Sequence, residues 1–130
     1  MVVDTSAVFA IVFGEPEQGP FAEMITAAEH RLLGVATAVE CVAVLARRRP
    51  TPDPMIAMNL IIQDLGLEII PMDEAQWRAA SDALIRFGRG RHPARLNLGD
   101  SFAYALAKVT GEPLLFKGGD FFLTDVIPAA

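Results

Sequence analysis

Four carboxylates in this 130-residue chain stand beside short apolar runs. Asp4 follows Val2-Val3, Glu40 follows the run at 32–35, Asp100 opens an alanine-rich stretch, and Asp120 comes after Leu114-Leu115-Phe116. Taken singly they suit structural roles, since aspartate caps helices and a glutamate three residues after a threonine completes a capping box. Taken together they point to chemistry. If the apolar runs are parallel strands, every strand-following turn lies on one edge of the sheet, where open α/β folds bind ligands. Two carboxylates about 5 Å apart repel by roughly 3 kcal/mol at an effective dielectric near 20, so a group of them needs a cation or retained protons. Oxygen donors without histidine or cysteine beside them select Mg2+ or Mn2+ over zinc. On carboxylates, such a hydrated ion completes its shell with phosphate oxygens.

The elements that must position these acids can be read from pattern and punctuation. Val2-Val3 fits a strand buried on both faces, and Asp4-Thr5-Ser6 stops it and starts a helix that Gly14 closes and Pro16 bars from continuing. Phe21, Met24, Ile25 and Ala28 recur at the spacing of one helix face, and a strand over 32–35 follows. Thr37-x-x-Glu40 reads as a capping box opening a third helix, which ends in the basic turn Arg47-Arg48-Arg49. Asp53-Pro54 starts a fourth helix striped by Met55, Met58, Ile62 and Leu65 and closed by Gly66. A strand over 67–70 precedes a helix capped by Asp73, with Trp77, Ala80, Leu84 and Phe87 on one face and Gly88 at its end. Asn97 caps the last long helix with Asp100 in its first turn, Gly111 ends it, and residues 114–116 form a strand before Lys117-Gly118-Gly119-Asp120. Residues 123–127 are expected to add a short edge strand. Helices alternating with apolar strands predict a parallel α/β sheet with helices on both faces.

Size and composition bound the rest. With 52% hydrophobic residues the chain can fill one core and is too short for two ordinary domains. No apolar run reaches the roughly 18 residues of a membrane span, and a strand at residue 2 leaves no room for a signal peptide, so a cytoplasmic protein is expected. Cys41 is expected to be a buried thiol. A net charge of −5 argues against a broad nucleic-acid-coating surface, but its placement is uneven. Between 83 and 111 the one acid, Asp100, faces Arg86, Arg89, Arg91, Arg95 and Lys108.

Four segments carry a resemblance: Val3-Asp4-Thr5-Ser6-Ala7, Thr37-Ala38-Val39-Glu40, the run at 94–107 around Asn97-Leu98-Gly99-Asp100-Ser101, and Leu115-Phe116-Lys117-Gly118-Gly119-Asp120-Phe121. In order and spacing, over essentially the whole chain, they resemble the PIN-domain ribonucleases, and more closely the VapC toxins of bacterial toxin–antitoxin pairs. The resemblance implies a single PIN domain over 1–130, with a three-layer α/β/α fold and a central parallel sheet of four to five strands, the first strand central. It also implies an endoribonuclease dependent on Mg2+ or Mn2+, with Asp4, Glu40, Asp100 and Asp120 as the acidic quartet. Thr5 or Ser6 would orient Asp4 or touch phosphate. Relatives often carry Asn or Asp where this chain has Gly119, which keeps Asp125 as a reserve ligand. A homodimer and a cognate VapB-type antitoxin, whose C-terminal segment fills the groove, complete the expectation.

Arg89, Arg91 and Arg95 fit RNA phosphates near Asp100 as well as they fit a solvated loop. His92 beside Pro93 reads as structural, Arg47 to Arg49 as a helix terminus, and Lys117 as a surface lysine. Three rival readings share these residues: a DNA nuclease, a phosphate-receiving signalling domain, and a PIN-like module that binds RNA or a partner without cutting. The signalling reading expects adjacent acids after the first strand, where this chain has Asp4-Thr5-Ser6.

Overall fold

The computed structural model describes residues 1–48 and 50–130. Its elements run β1 (Val2–Val3), α1 (Thr5–Val12), α2 (Gln18–Ala27), β2 (Leu32–Gly34), α3 (Val35–Arg48), α4 (Pro54–Leu65), β3 (Glu68–Ile70), α5 (Glu74–Phe87), α6 (Leu98–Thr110) and β4 (Leu114–Leu115). A 3₁₀ turn over Asp120–Leu123 follows. The strands pair in parallel in the order β3-β2-β1-β4, which places β1 inside the sheet as the resemblance implies.

Strand alternation divides the core into two layers. Val3, Leu33 and Leu115 face one way, onto Ala7 and Val8 of α1, Ile25 of α2, Cys41 and Leu45 of α3 and Met58 of α4. Val2, Leu32 and Leu114 face the other way, onto Ala83 and Phe87 of α5 and Ala103, Tyr104 and Leu106 of α6. Fully burying one such aliphatic or aromatic side chain contributes roughly 1.5–3 kcal/mol relative to exposure, so both layers hold the strand ends in place. Because all four strands are parallel, their carboxyl ends share one edge, and Asp4 N donates to Leu115 O across it at 2.9 Å. Among the described residues no helix is long and apolar enough to cross a membrane.

Several expected starts and stops hold. Asp53 caps α4 with Pro54 in its first turn, and Gly66 closes that helix in the left-handed region at φ 62°. Asp73 caps α5, and Asn97 and Asp100 form a reciprocal capping box on α6.

Four expectations are corrected. Thr37 does not cap α3. The helix starts two residues earlier, at Val35, and Thr37 is 1% exposed with its hydroxyl unpartnered among the described residues. Burial of the Thr37–Cys41–Leu45 stripe sets the phase of that helix. Met55 is 56% exposed, outside the stripe that Met58 leads, and Trp77 is 55% exposed beneath the Arg78 guanidinium. The inward place on α5 is taken instead by Gln76, whose amide donates to Pro71 O at 2.8 Å. The edge strand at 123–127 is also absent from the described residues. Only a parallel bridge between Leu114 and Pro128 forms there, through Leu114 N to Ile127 O at 2.8 Å and Ala129 N to Leu114 O at 2.9 Å. Arg49 lies outside the described residues, so the basic turn is seen only as Arg47 and Arg48.

Candidate active site

Asp4 leaves β1 in an extended conformation and caps α1. Its Oδ2 accepts from Ser6 N at 3.0 Å and from Ser6 Oγ at 2.6 Å, while Ser6 Oγ accepts from Lys117 N at 2.9 Å. One hydroxyl thus ties the end of β1 to the chain leaving β4. The Asp4 carboxyl is 4% exposed. Burial pushes its pKa from 3.8 up to about 6, the Ser6 bonds oppose that rise, and the charges of Asp100 and Glu40 add to it.

The other acids arrive from different elements. Glu40 projects from α3, and Thr5 Oγ1 donates to its Oε1. Its carboxylate lies against the first turn of α6, where a Cβ built on Gly99 would fall 1.7 Å from Oε2. Asp100 accepts from Asn97 N through Oδ2 at 2.9 Å. Burial raises its pKa, the Asn97 bond lowers it, Glu40 and Asp120 raise it, and Arg89 lowers it. Asp4, Glu40 and Asp100 line one cleft of about 400 Å³, together with Thr5, Ser6 and Asn97. Asp120 does not line it. It stands exposed at the start of the 3₁₀ turn, near enough to Asp100 to oppose its ionisation.

The acids share a rim, yet they have not closed on a point. No three histidine, cysteine, aspartate or glutamate side chains among the described residues are gathered closely enough to hold one metal ion. The oxygens are turned to protein donors instead: Ser6 for Asp4, Thr5 for Glu40, Asn97 for Asp100. The donor set still suits a hard divalent cation. It is all oxygen, one carboxyl is buried, and no lysine or arginine among the described residues is paired with Asp4, Glu40 or Asp100.

Other expected residues sit elsewhere. Asp125, expected as a reserve ligand, does not line the cleft. It accepts from Tyr104 Oη at 2.7 Å and from Lys108 Nζ at 3.2 Å, with Arg86 at 3.7 Å, farther along α6. Arg91 and Arg95 are exposed in the 88–97 loop and do not line the cleft; the loop arginine whose charge reaches Asp100 is Arg89. His92 is structural as expected, accepting from Ala94 N at 3.1 Å and packing edge-on against Phe87. Lys117 lines the cleft with its ammonium paired to Glu15 and Glu17. Arg48 also lines it, which the reading of 47–49 as a plain helix terminus missed. The signal was available: Glu40, Val44 and Arg48 stand four apart on one face of α3.

The model of the PIN domain family matches residues 1–126. This chain belongs to the PIN-domain family. Within that family it belongs with the VapC ribonucleases. It is 43% identical over 130 residues to ribonuclease VapC42 of Mycobacterium tuberculosis, covering 99% of this chain and 98% of that one. It is 38% identical to ribonuclease VapC30 of the same organism, covering 100% and 98%. Among solved structures, the PIN-domain chain is similar to Mycobacterium tuberculosis VapC20, a sarcin-ricin loop cleaving toxin, with TM-score 0.71, 18% identity and 98% of each chain covered. It is also similar to a chain of a toxin-antitoxin complex from Klebsiella pneumoniae, with TM-score 0.67, 15% identity, and 92% and 88% covered. These two likenesses bear on the fold: a parallel sheet flanked by helices.

Proposed function

We propose that this chain is an endoribonuclease toxin of the VapC class that hydrolyses RNA phosphodiester bonds with Mg2+ or Mn2+ as its cofactor. It acts as a single PIN domain over 1–130, and Asp4, Glu40, Asp100 and Asp120 hold the ion. The observation that carries this reading is the buried, uncompensated carboxyl of Asp4 in one cleft with Glu40 and Asp100. The ribonuclease activity named for relatives at 38–43% identity supports it.

Each side chain has a task the geometry suggests. Ser6 holds Asp4 at the end of β1, Thr5 holds Glu40, and the Asn97 backbone holds Asp100 at the head of α6. Asp4, Glu40, Asp100 and Asp120 would hold the ion, whose charge would offset their mutual repulsion. The cation supplies neutralising charge at the phosphate oxygens and lowers the pKa of water. Asp120, exposed beside two glycines whose faces meet nothing within 4 Å, leaves room for a sugar-phosphate backbone. The toxin works in the cytoplasm as a homodimer and is neutralised by a VapB-type antitoxin. The toxin-antitoxin complex among the structural neighbours is consistent with that partner.

The test is cleavage of RNA and DNA in parallel with Mg2+ or Mn2+. Asp4→Asn and Asp100→Asn are expected to lose at least about a hundredfold in RNA cleavage while keeping a cooperative melt, the scale of losing a group from a charge-stabilising site. Undiminished cleavage removes those acids from the mechanism. Cleavage of DNA alone moves the chain to the DNA-nuclease reading.

A further inference from the structure

An acid-lined cleft repels the polyanion it is proposed to cut, so the cations that face it decide how RNA is held. Two line it among the described residues: Lys117 and Arg48. Lys117 is committed to Glu15 and Glu17. Arg48 has no carboxylate within ion-pair distance among the described residues, and its guanidinium sits over the Phe13 ring, 5.1 Å from the centroid. Phe13 is in turn stacked on Phe9, with centroids 5.1 Å apart and planes 19° off parallel, and Phe9 is itself buried at the cleft wall. The stack Phe9–Phe13–Arg48 therefore runs from the core to the lip of the cleft.

Phe13 thus lies against the exposed Arg48 side chain, whose planar N–H edge has no paired carboxylate among the described residues. That edge matches two phosphate oxygens at once, which an ammonium cannot do. Glu40 and Arg48 lie on one face of α3, eight residues and so about 12 Å apart along the axis. The phosphate that Arg48 reaches therefore flanks the one beside the acids.

Resting on the ribonuclease reading above, we propose that Arg48 is the RNA anchor of the cleft. Its edge grips a phosphate flanking the scissile one, and Phe9 and Phe13 hold its plane in place. It acts by binding substrate and transition state alike, so its loss raises KM and leaves kcat nearly unchanged.

The test uses the full chain carrying Asp100→Asn as a non-cleaving parent, binding a fluorescein-labelled single-stranded RNA 20-mer of mixed sequence in Mg2+ at 50 to 200 mM KCl. Adding Arg48→Gln is expected to weaken binding about tenfold at the lowest salt, the worth of a hydrogen bond to a charged group. It also lowers the slope of log affinity against log salt by about 0.7, one phosphate contact on a single strand. Arg48→Lys keeps the slope and recovers only part of the affinity. With Asp100 intact, Arg48→Gln raises KM and changes kcat less than about twofold, at an unchanged melting temperature. Unchanged affinity and slope, or a loss carried by kcat alone, overturns the assignment of Arg48. A parent that binds no RNA and a wild type that cuts none overturn the ribonuclease reading, and this inference falls with it.

Discussion

Glu40 can hold its place only because position 99 lacks a Cβ. An added methyl there would lie 1.7 Å from Oε2 and 2.6 Å from the carboxyl carbon, well inside contact distance. The backbone offers no objection to alanine, since Gly99 lies within α6 and is absent from the residues with positive φ. Alanine is favoured over glycine in a helix by up to about 1 kcal/mol. Stability and activity should therefore part company in Gly99→Ala. The melting temperature is expected to hold or rise by a few degrees, while the displaced Glu40 lowers RNA cleavage about tenfold or more, the cost of a misplaced catalytic group. Thermal melts beside initial rates check this, and full activity in Gly99→Ala would take Glu40 out of the mechanism.

At the scale of elements, the strand ends were legible because parallel strands lead each strand-following turn to one edge, and Val2-Val3-Asp4 and the Asn97 to Asp100 box say so locally. Helix phase was less legible. Thr37-x-x-Glu40 has the composition of a capping box, but burying Thr37, Cys41 and Leu45 along one stripe turns Thr37 inward and starts the helix before it. On α5 the inward position fell to Gln76, one residue from Trp77, because its amide finds Pro71 O. On α3 tertiary burial, invisible along the chain, outweighed a local preference, whereas on α5 the deciding partner lies only five residues back. The stripe on α3 leaves a consequence: a hydroxyl that is buried and, among the described residues, unpaired. Removing such a group without changing the shape of the side chain relieves its desolvation, so Thr37→Val is expected to add about 1 kcal/mol of stability. Urea denaturation would show a higher midpoint at an unchanged slope. A lower midpoint would mean that Thr37 has a partner in solution.

At the scale of the molecule, net charge concealed the arrangement that matters. The chain is acidic overall, but Arg78, Arg86, Lys108 and Lys117 are paired with carboxylates, whereas Asp4, Glu40 and Asp100 share a cleft without a paired cation among the described residues. That imbalance makes stability depend on pH in a definite direction. Asp4 holds its proton up to about pH 6 in the folded chain, against 3.8 in the unfolded one. Its contribution is fully present below pH 3.8 and is lost as pH rises through about 6, a difference of about 3 kcal/mol. Asp100 is shifted in the same direction, while Glu17, Glu112 and Asp125 are lowered and act in the opposite sense. The comparison with Asp4→Asn isolates the term, because asparagine still caps a helix and cannot ionise. In EDTA, the wild type should lose stability relative to Asp4→Asn by roughly 1.4 kcal/mol per pH unit between about pH 4 and 6, measured by urea unfolding. Mg2+ added at pH 8 should then raise the wild-type melting temperature and raise that of Asp4→Asn less, since a cation bound to the folded state stabilises by mass action. Parallel stability curves for the two proteins across that range would show that Asp4 ionises freely, and the case for an uncompensated carboxyl awaiting a cation would fail.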